Sequence, residues 1–477
     1  MPDVEIDLLE IRCGSVTAPA GCGKTQLIAD SLTRQTGRKP ILILTHTNAG
    51  VAALRTRLTG ASIPTSSYSL ATLDGWALKA LKAFPGRSGI DPAHLALSNP
   101  RADYPAIKRA AAALSGGRHI DDIVDASYSR IIVDEYQDCG PEQHQMVCHL
   151  AAVLPTVVLG DPMQEIFSWQ GPHPDWQDDV CLTFLPAGEL VKPWRWIRAG
   201  AEGLGEWLLE ARRTLMAGDQ VDLRDAPPEV EWIELDGTDD EAKQRRACLA
   251  RSPRVGGEVL IMAAGVQTDL QRRIARQTPG AVTVENVDLT DVISFARSIE
   301  LDQPGDLARA LEFATEVTTN VDRSALVQRV AILGRSSERK DATGVEIAAM
   351  DYNRTGSADH LVALLLALEG NPGARTFRPD ILRTCVSALR SCAPGNPAAF
   401  LDAALRIREQ SRMMGRRIPS RAVGSPLLLK GLEADVAVIL NAAEFDRHPI
   451  RNMKNTYVAI TRGSRKLLVC SQSPLIG

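Results

Sequence analysis

The feature that most constrains this chain is the run Ala18-Pro19-Ala20-Gly21-Cys22-Gly23-Lys24-Thr25, set between a short strand-like segment at Ser15–Thr17 and a stretch of helical period from Lys24 to about Arg34. Gly21 and Gly23 let backbone amides close around phosphate oxygens, and the N-terminus of the following helix adds a favourable dipole. Lys24 would reach the β- and γ-phosphates, and the Thr25 hydroxyl would hold Mg2+. The general pattern begins with glycine, where this chain has Ala18. An ordinary strand–turn–helix with a chance Lys-Thr is the competing reading, and the surrounding pattern speaks against it. Ile41-Leu42-Ile43-Leu44, Ile131-Ile132-Val133 and Thr156-Val157-Val158-Leu159 are apolar runs without alternation, suited to strands covered on both faces. The last two lead into acidic residues, at the strand ends where functional loops of parallel sheets lie.

Hydrolysis at such a loop needs an acidic pair beyond a second strand. The run Asp134-Glu135-Tyr136-Gln137-Asp138 supplies one. Asp134 would hold Mg2+ through water, and Glu135 would orient and deprotonate the attacking water. A second group of buried-strand candidates follows at Val259–Met262, Val436–Leu440 and Leu467–Val469. Between them, roughly 285 to 415, the chain is rich in Ala, Leu and Arg with helical period. The expected fold class is therefore α/β, with a helical insertion splitting the second α/β domain.

Composition narrows the alternatives. A chain of 477 residues suggests about three domains at ~100–200 residues each. With 54 basic and 58 acidic residues the net charge is −4, which excludes a uniformly basic chromatin-type protein but leaves room for a local nucleic-acid groove. No apolar run is long enough for a membrane span, and the acidic N-terminus does not read as a secretory signal. The nine cysteines are scattered, with no CxxC pair, and the Cys385/Cys392 spacing fits neither a zinc site nor a disulfide framework. Reduced thiols in a cytoplasmic protein are expected.

The run Asp134–Asp138 resembles the second motif of the superfamily 1A helicases of the UvrD/Rep type. Other blocks follow in that family's order. Ile41–Leu44 with Thr45-His46-Thr47-Asn48 is similar to motif Ia, and Gly160-Asp161-Pro162-Met163-Gln164-Glu165-Ile166-Phe167-Ser168-Trp169-Gln170-Gly171 to motif III. Pro193-Trp194-Arg195 stands where motif IV has an aromatic and an arginine. Leu429–Asp435 resembles motif V, and Tyr457-Val458-Ala459-Ile460-Thr461-Arg462 resembles motif VI. The blocks run from Ala18 to Arg462.

The resemblance implies two RecA-like P-loop domains. The first spans 1–190, with a small insertion about 60–125. The second spans 191–285 plus 416–477, and a helical 2B-like insertion occupies 286–415. It implies an ATP hydrolase using ATP and Mg2+, moving 3′→5′ on single-stranded or tailed duplex DNA. Lys24, Glu135, Gln164, Arg195 and Arg462 would be catalytic. Gln164 would sense the γ-phosphate, while Arg195 and Arg462 would come from the second domain onto it as arginine fingers. The nucleotide would be held by Ala18 to Thr25, with Glu433 on the ribose and the base between Trp194 and Gln26. Trp169 would stack a nucleic-acid base, worth about 1–3 kcal/mol. His46 would add a stacking surface, and Thr45 and Asn48 would reach the phosphate backbone. Six arginines between Arg406 and Arg421 read either as a phosphate-tracking patch or as a solvated basic helix with a loop.

This chain departs from the family at Gln170 (usually Arg), Leu427 (usually His) and Asp74 (often His). These differences fall on nucleic-acid and coupling positions and leave the hydrolytic set intact. They motivate a second reading, an ATP-gated nucleic-acid sensor in a defence or repair complex that switches a partner without processive unwinding. A metabolic P-loop kinase would leave Gln164, Arg195 and Arg462 without a role. Size and motif layout resemble the helicase subunit of Gabija-type antiviral systems. A nuclease or other protein is the corresponding partner, since no nuclease domain is expected after the last block.

Overall fold

The computed structural model describes residues 6–97, 99–167, 173–265, 267–286, 289–335, 341–392, 399–413, 419–446 and 448–477. It divides into two compact units, Met1–Trp232 with Asp446–Lys466 and Ser473–Gly477, and Ile233–Phe445 with Leu467–Gln472.

The first unit is built on six strands: β1 (Cys13–Thr17), β2 (Ile41–Thr45), β3 (Tyr68–Thr72), β4 (Arg130–Val133), β5 (Thr156–Gly160) and β6 (Pro186–Glu189). They lie in the order β3-β2-β4-β5-β1-β6, with every neighbouring pair parallel. The apolar runs are continuous because both faces are covered. Side chains alternate across the pleat, so Ile41, Ile43, Ile132, Val157 and Leu159 enter one core with Val16, Ile28 and Leu54. Leu42, Leu44, Ile131, Val133 and Val158 enter the other, with Leu73, Trp76 and Met146. A central strand that alternated polar and apolar residues would leave one of these cores unfilled. A two-stranded antiparallel ribbon, β7 (Val221–Asp222) with β14 (Leu475–Ile476), also lies in this unit.

The second sheet has the order β10-β11-β9-β12-β13-β8. Its strands are β8 (Val230–Glu234), β9 (Val259–Met262), β10 (Val282–Thr283), β11 (Arg421–Gly424), β12 (Ala434–Ile439) and β13 (Gly463–Ser471). β10, β11, β9 and β12 pair in parallel, and Val259, Ile261, Val423, Val436, Val438 and Leu468 fill one of its cores. The chain is thus α/β with two six-stranded sheets of RecA-like type. Between β10 and β11 run helices from Thr290–Ser298 to Ala399–Met413. They enclose an apolar core of their own, in which Phe295 and Phe313 stack with centroids 4.1 Å apart.

The compact units are cut at different places from the motif-based expectation, which assigned 191–232 and 446–466 to the second domain. Here those segments fall in the first compact unit, although Val230–Trp232 and Gly463–Lys466 belong to strands of the second sheet. Hydrogen bonds tie them to the loop after β1: Arg195 N donates to Gly21 O at 3.0 Å and Ala20 N to Tyr457 Oη at 3.1 Å, while Trp196 Nε1 joins the two segments by donating to Gly463 O at 2.9 Å.

Candidate active site

The loop after β1 is fixed at its start by Ala18 N, which donates to Gly160 O at 2.8 Å. Gly21 and Gly23 both hold left-handed backbone, with φ of 72° and 92°, which other L-residues adopt only at a cost. Space demands glycine as well. A Cβ at Gly21 would lie 2.5 Å from Trp196 Cζ3, and one at Gly23 would lie 3.0 Å from Trp194 Cδ1. Pro19 and Ala20 are buried beside them. Burial, followed by the charge of Asp161, pushes the Cys22 thiol up to about 12, so it is a packing group and not a nucleophile.

Lys24 opens the helix Lys24–Thr33, and its ammonium bridges the acidic pair beyond β4. Nζ lies 2.8 Å from Asp134 Oδ1 and donates to Glu135 Oε1 at 2.5 Å. Burial alone would lower the Lys24 amine, but the two carboxylates outweigh it and raise it. Burial raises Asp134, with Lys24 opposing. Glu135 itself sits at φ 56°, ψ 42°. A non-glycine residue in this region costs of order 1–3 kcal/mol and persists where surrounding structure imposes it. Here the strain turns Glu135 out of the line of β4 toward Lys24.

Gln137 carries the connection onward. Its Nε2 donates to Glu135 Oε2 at 2.6 Å, and its Oε1 accepts from Asp161 N at 3.1 Å. Asp161 is fully buried and acts as a hub at the end of β5. It accepts from Gln164 Nε2 at 3.2 Å and from Arg212 Nε at 3.0 Å. Arg212 also donates to Glu189 Oε1 at 2.9 Å, at the end of β6. Burial would lower the Arg212 guanidinium, yet Asp161 raises it. Buried charges of this kind persist only when paired.

The two candidate arginine fingers converge on one turn. Arg195 Nη1 donates to Thr461 O at 2.6 Å, and Arg462 Nη2 donates to Thr461 Oγ1 at 3.0 Å. Arg462 Nε donates to Val458 O, which locks its guanidinium against the helix Pro449–Ile460. Both fall in the same compact unit as Lys24. Trp194 is 38% exposed at the edge of Gly23, with Lys192 Nζ 4.1 Å and Arg198 Cζ 5.8 Å from its ring centroid. A half-open indole with cations on its face offers a plane for a flat ring. Thr25 is half-buried as the second residue of its helix, and Gln26 Nε2 donates to Asp30 Oδ1 at 2.7 Å. Glu433 stands immediately before β12, in the second unit.

At the end of β2, Thr45 is fully buried with its hydroxyl facing Gly50 in the first turn of the helix Asn48–Gly60. His46 packs on Phe167 with ring centroids 5.8 Å apart, and Asn48 is exposed. Trp169 and Gln170 lie outside the described residues. Asp74 accepts from Gln143 Nε2 at 2.7 Å, with Lys108 Nζ 3.7 Å away, so it is engaged within its own unit. Arg421, counted in the basic segment, donates to the carbonyls of Cys248 and Ala250. It caps the helix Asp240–Cys248 and is not part of a phosphate-tracking surface.

Among the described residues, no group of three or more His, Cys, Asp or Glu is arranged to hold a metal ion, and no helix is long and apolar enough to cross a membrane. The oxygen groups around Lys24 are the carboxylates of Asp134 and Glu135, with Thr25 next to it in the helix. That is the hard-oxygen set with which Mg2+ is held alongside phosphate oxygens.

Sequence reasoning gave no role to Gln137, Tyr457 or Arg212. The first two were visible inside motif blocks. Arg212 also left a signal: it falls on the buried face of the helix Glu202–Met216, in line with Leu204, Leu208 and Leu215. A charge on an apolar stripe marks a buried partner.

Among curated proteins none matches this chain. A family model described as the UvrD/REP helicase N-terminal domain matches residues 102–178. That stretch holds β4, the acidic pair, Gln137, β5, Asp161 and Gln164. Over residues 102–178 the chain is thus similar to the N-terminal domain of the UvrD/REP helicases.

Proposed function

We propose that this chain is a DNA helicase that hydrolyses ATP and uses the energy to translocate 3′→5′ on single-stranded DNA. The observation that carries the reading is the chain of contacts from Lys24 through Glu135 and Gln137 to Asp161 and Gln164. This hydrogen-bonded line supports assigning phosphate binding to the lysine, base catalysis to the glutamate and phosphate sensing to Gln164.

In this reading Lys24 binds the β- and γ-phosphates, and Glu135 accepts a proton from the water that attacks the γ-phosphorus. Thr25 and Asp134 hold Mg2+, whose charge neutralises phosphate oxygens when bound. Glu135 is suited to its task because Gln137 holds the second carboxylate oxygen and fixes the direction of the first. Gln164 reports the γ-phosphate to Asp161. Arg195 and Arg462, already gathered at Thr461, supply positive charge as charge develops on the transferred group. Ala18 to Gly23 cradle the phosphates, while Trp194 and Gln26 flank the base and Glu433 takes the ribose. His46, Asn48 and Trp169 contact the single strand, whereas Thr45, expected beside them, is fully buried against Gly50 and supports the turn from within. The helices between β10 and β11 serve as the 2B-like insertion.

The test is hydrolysis with and without single-stranded DNA, followed by strand displacement on duplexes tailed at 3′ or 5′. Hydrolysis stimulated by single strands and displacement from the 3′ tail are expected. Displacement from the 5′ tail alone would refute the direction, and absence of hydrolysis would refute the site.

A further inference from the structure

Glu165 follows Gln164 directly, and both oxygens of its carboxylate are taken. Lys454 Nζ donates to Oε2 at 2.7 Å, and His173 Nδ1 lies 3.0 Å from Oε1. The side chains of Glu165, His173 and Lys454 are 12%, 10% and 23% exposed, so solvent screens these contacts less than it would a surface pair. Burial would raise Glu165, but the hydrogen bonds from His173 and Lys454 hold it down to about 2.

The surroundings of this triad give it a direction. Gln164, on one side, reaches the Asp161 hub. Phe167, on the other side, packs on His46 at the end of β2. Lys454 lies one turn before Tyr457 on the helix Pro449–Ile460, and Tyr457 Oη accepts from Ala20 N in the phosphate loop. A carboxylate held at both oxygens is fixed in position and in plane. The Glu165 carboxylate thus stands between the Phe167–His46 contact and the helix whose Tyr457 reaches the loop at Ala20.

We propose that Glu165, His173 and Lys454 form a hydrogen-bonded clamp that transmits single-strand binding at His46 and Phe167 to hydrolysis at Lys24 and Glu135. The three are positioning residues and touch neither nucleotide nor DNA. The inference rests on the function proposed above.

The test compares wild type, Glu165→Gln, Lys454→Met, Lys454→Arg and the double variant Glu165→Gln/Lys454→Met. ATP turnover is measured with and without saturating single-stranded oligo(dT). Linked sites typically modulate each other about 5–150-fold, so each neutral variant should lose about fivefold or more of the stimulation. Basal kcat and KM for ATP should stay at the wild-type values. Lys454→Arg should keep the stimulation, and the double variant should lose no more than either single one. Stimulation at the wild-type level in Glu165→Gln and Lys454→Met would overturn the clamp. So would basal and stimulated turnover falling in parallel, which marks a merely structural contact. A wild-type enzyme unmoved by single strands would overturn the proposed function and the clamp with it, whereas a stimulated wild type isolates the clamp.

Discussion

Replacing Gly21 with alanine probes how rigidly the phosphate loop is seated. Two costs add at this position. The left-handed backbone at φ 72° costs an alanine roughly 1–2 kcal/mol. The new methyl would stand 2.5 Å from Trp196 Cζ3 and 3.0 Å from Arg195 Cβ. Trp196 has little room to retreat, since it is 1% exposed and its Nε1 is bonded to Gly463 O. Overpacking of this kind costs about 1–3 kcal/mol, so the total is about 2–5 kcal/mol. Gly218 is the matched control: its φ is 87°, with no heavy atom within 4 Å of the added Cβ. Gly218→Ala should therefore cost only the backbone part, about 1–2 kcal/mol. The difference between the two variants measures the steric part alone. Equilibrium urea unfolding followed by intrinsic fluorescence suits the measurement, because all seven tryptophans lie at or before Trp232, within the unit that holds Gly21 and Gly218. The midpoint should fall further for Gly21→Ala at an unchanged m-value. Equal losses in the two variants would show that the Trp196 segment yields, and the loop would not be seated as described.

Three further outcomes are expected. Lys24→Ala and Glu135→Gln should each lower phosphate release about 100-fold or more, the usual scale for a lost acid–base or charge-stabilising group; near-normal turnover in either would refute the site. Trp194→Ala should raise the KM for ATP about tenfold with little change in kcat, as expected for losing roughly 1–3 kcal/mol of stacking; an unchanged KM would remove Trp194 from the base site. Glu165→Gln should lower stability at neutral pH. The carboxylate held at about 2, against an ordinary 4.5, would contribute about 3 kcal/mol if fully shielded and about 1–2 kcal/mol after solvent screening. Because its folded pKa is depressed, that contribution is complete above pH 4.5 and disappears as pH falls toward 2. Urea midpoints of wild type and variant should therefore converge on acidification, and a gap that persists at the acid end would refute the assignment.

The sequence by itself determined the buried strands and the local geometry of the Ala18–Thr25 loop. Continuous apolar runs at Ile41–Leu44, Ile131–Val133 and Thr156–Leu159 can be satisfied only by strands covered on both faces, and they became β2, β4 and β5. Gly21 and Gly23 were legible because left-handed backbone is a local property that restricts which residue a position accepts. Tertiary structure decided which distant side chains meet. Nothing local places Tyr457 on Ala20, Arg212 on Asp161 or Lys454 on Glu165, pairs separated by 437, 51 and 289 positions. Such contacts depend on how helices dock against the sheet, which is set by the shape of a whole core and not by any one segment's period. The phosphate loop could be read from one stretch of chain because its geometry is a local backbone property. The network that surrounds it could not, because burying a charge becomes favourable only where another part of the chain brings its partner.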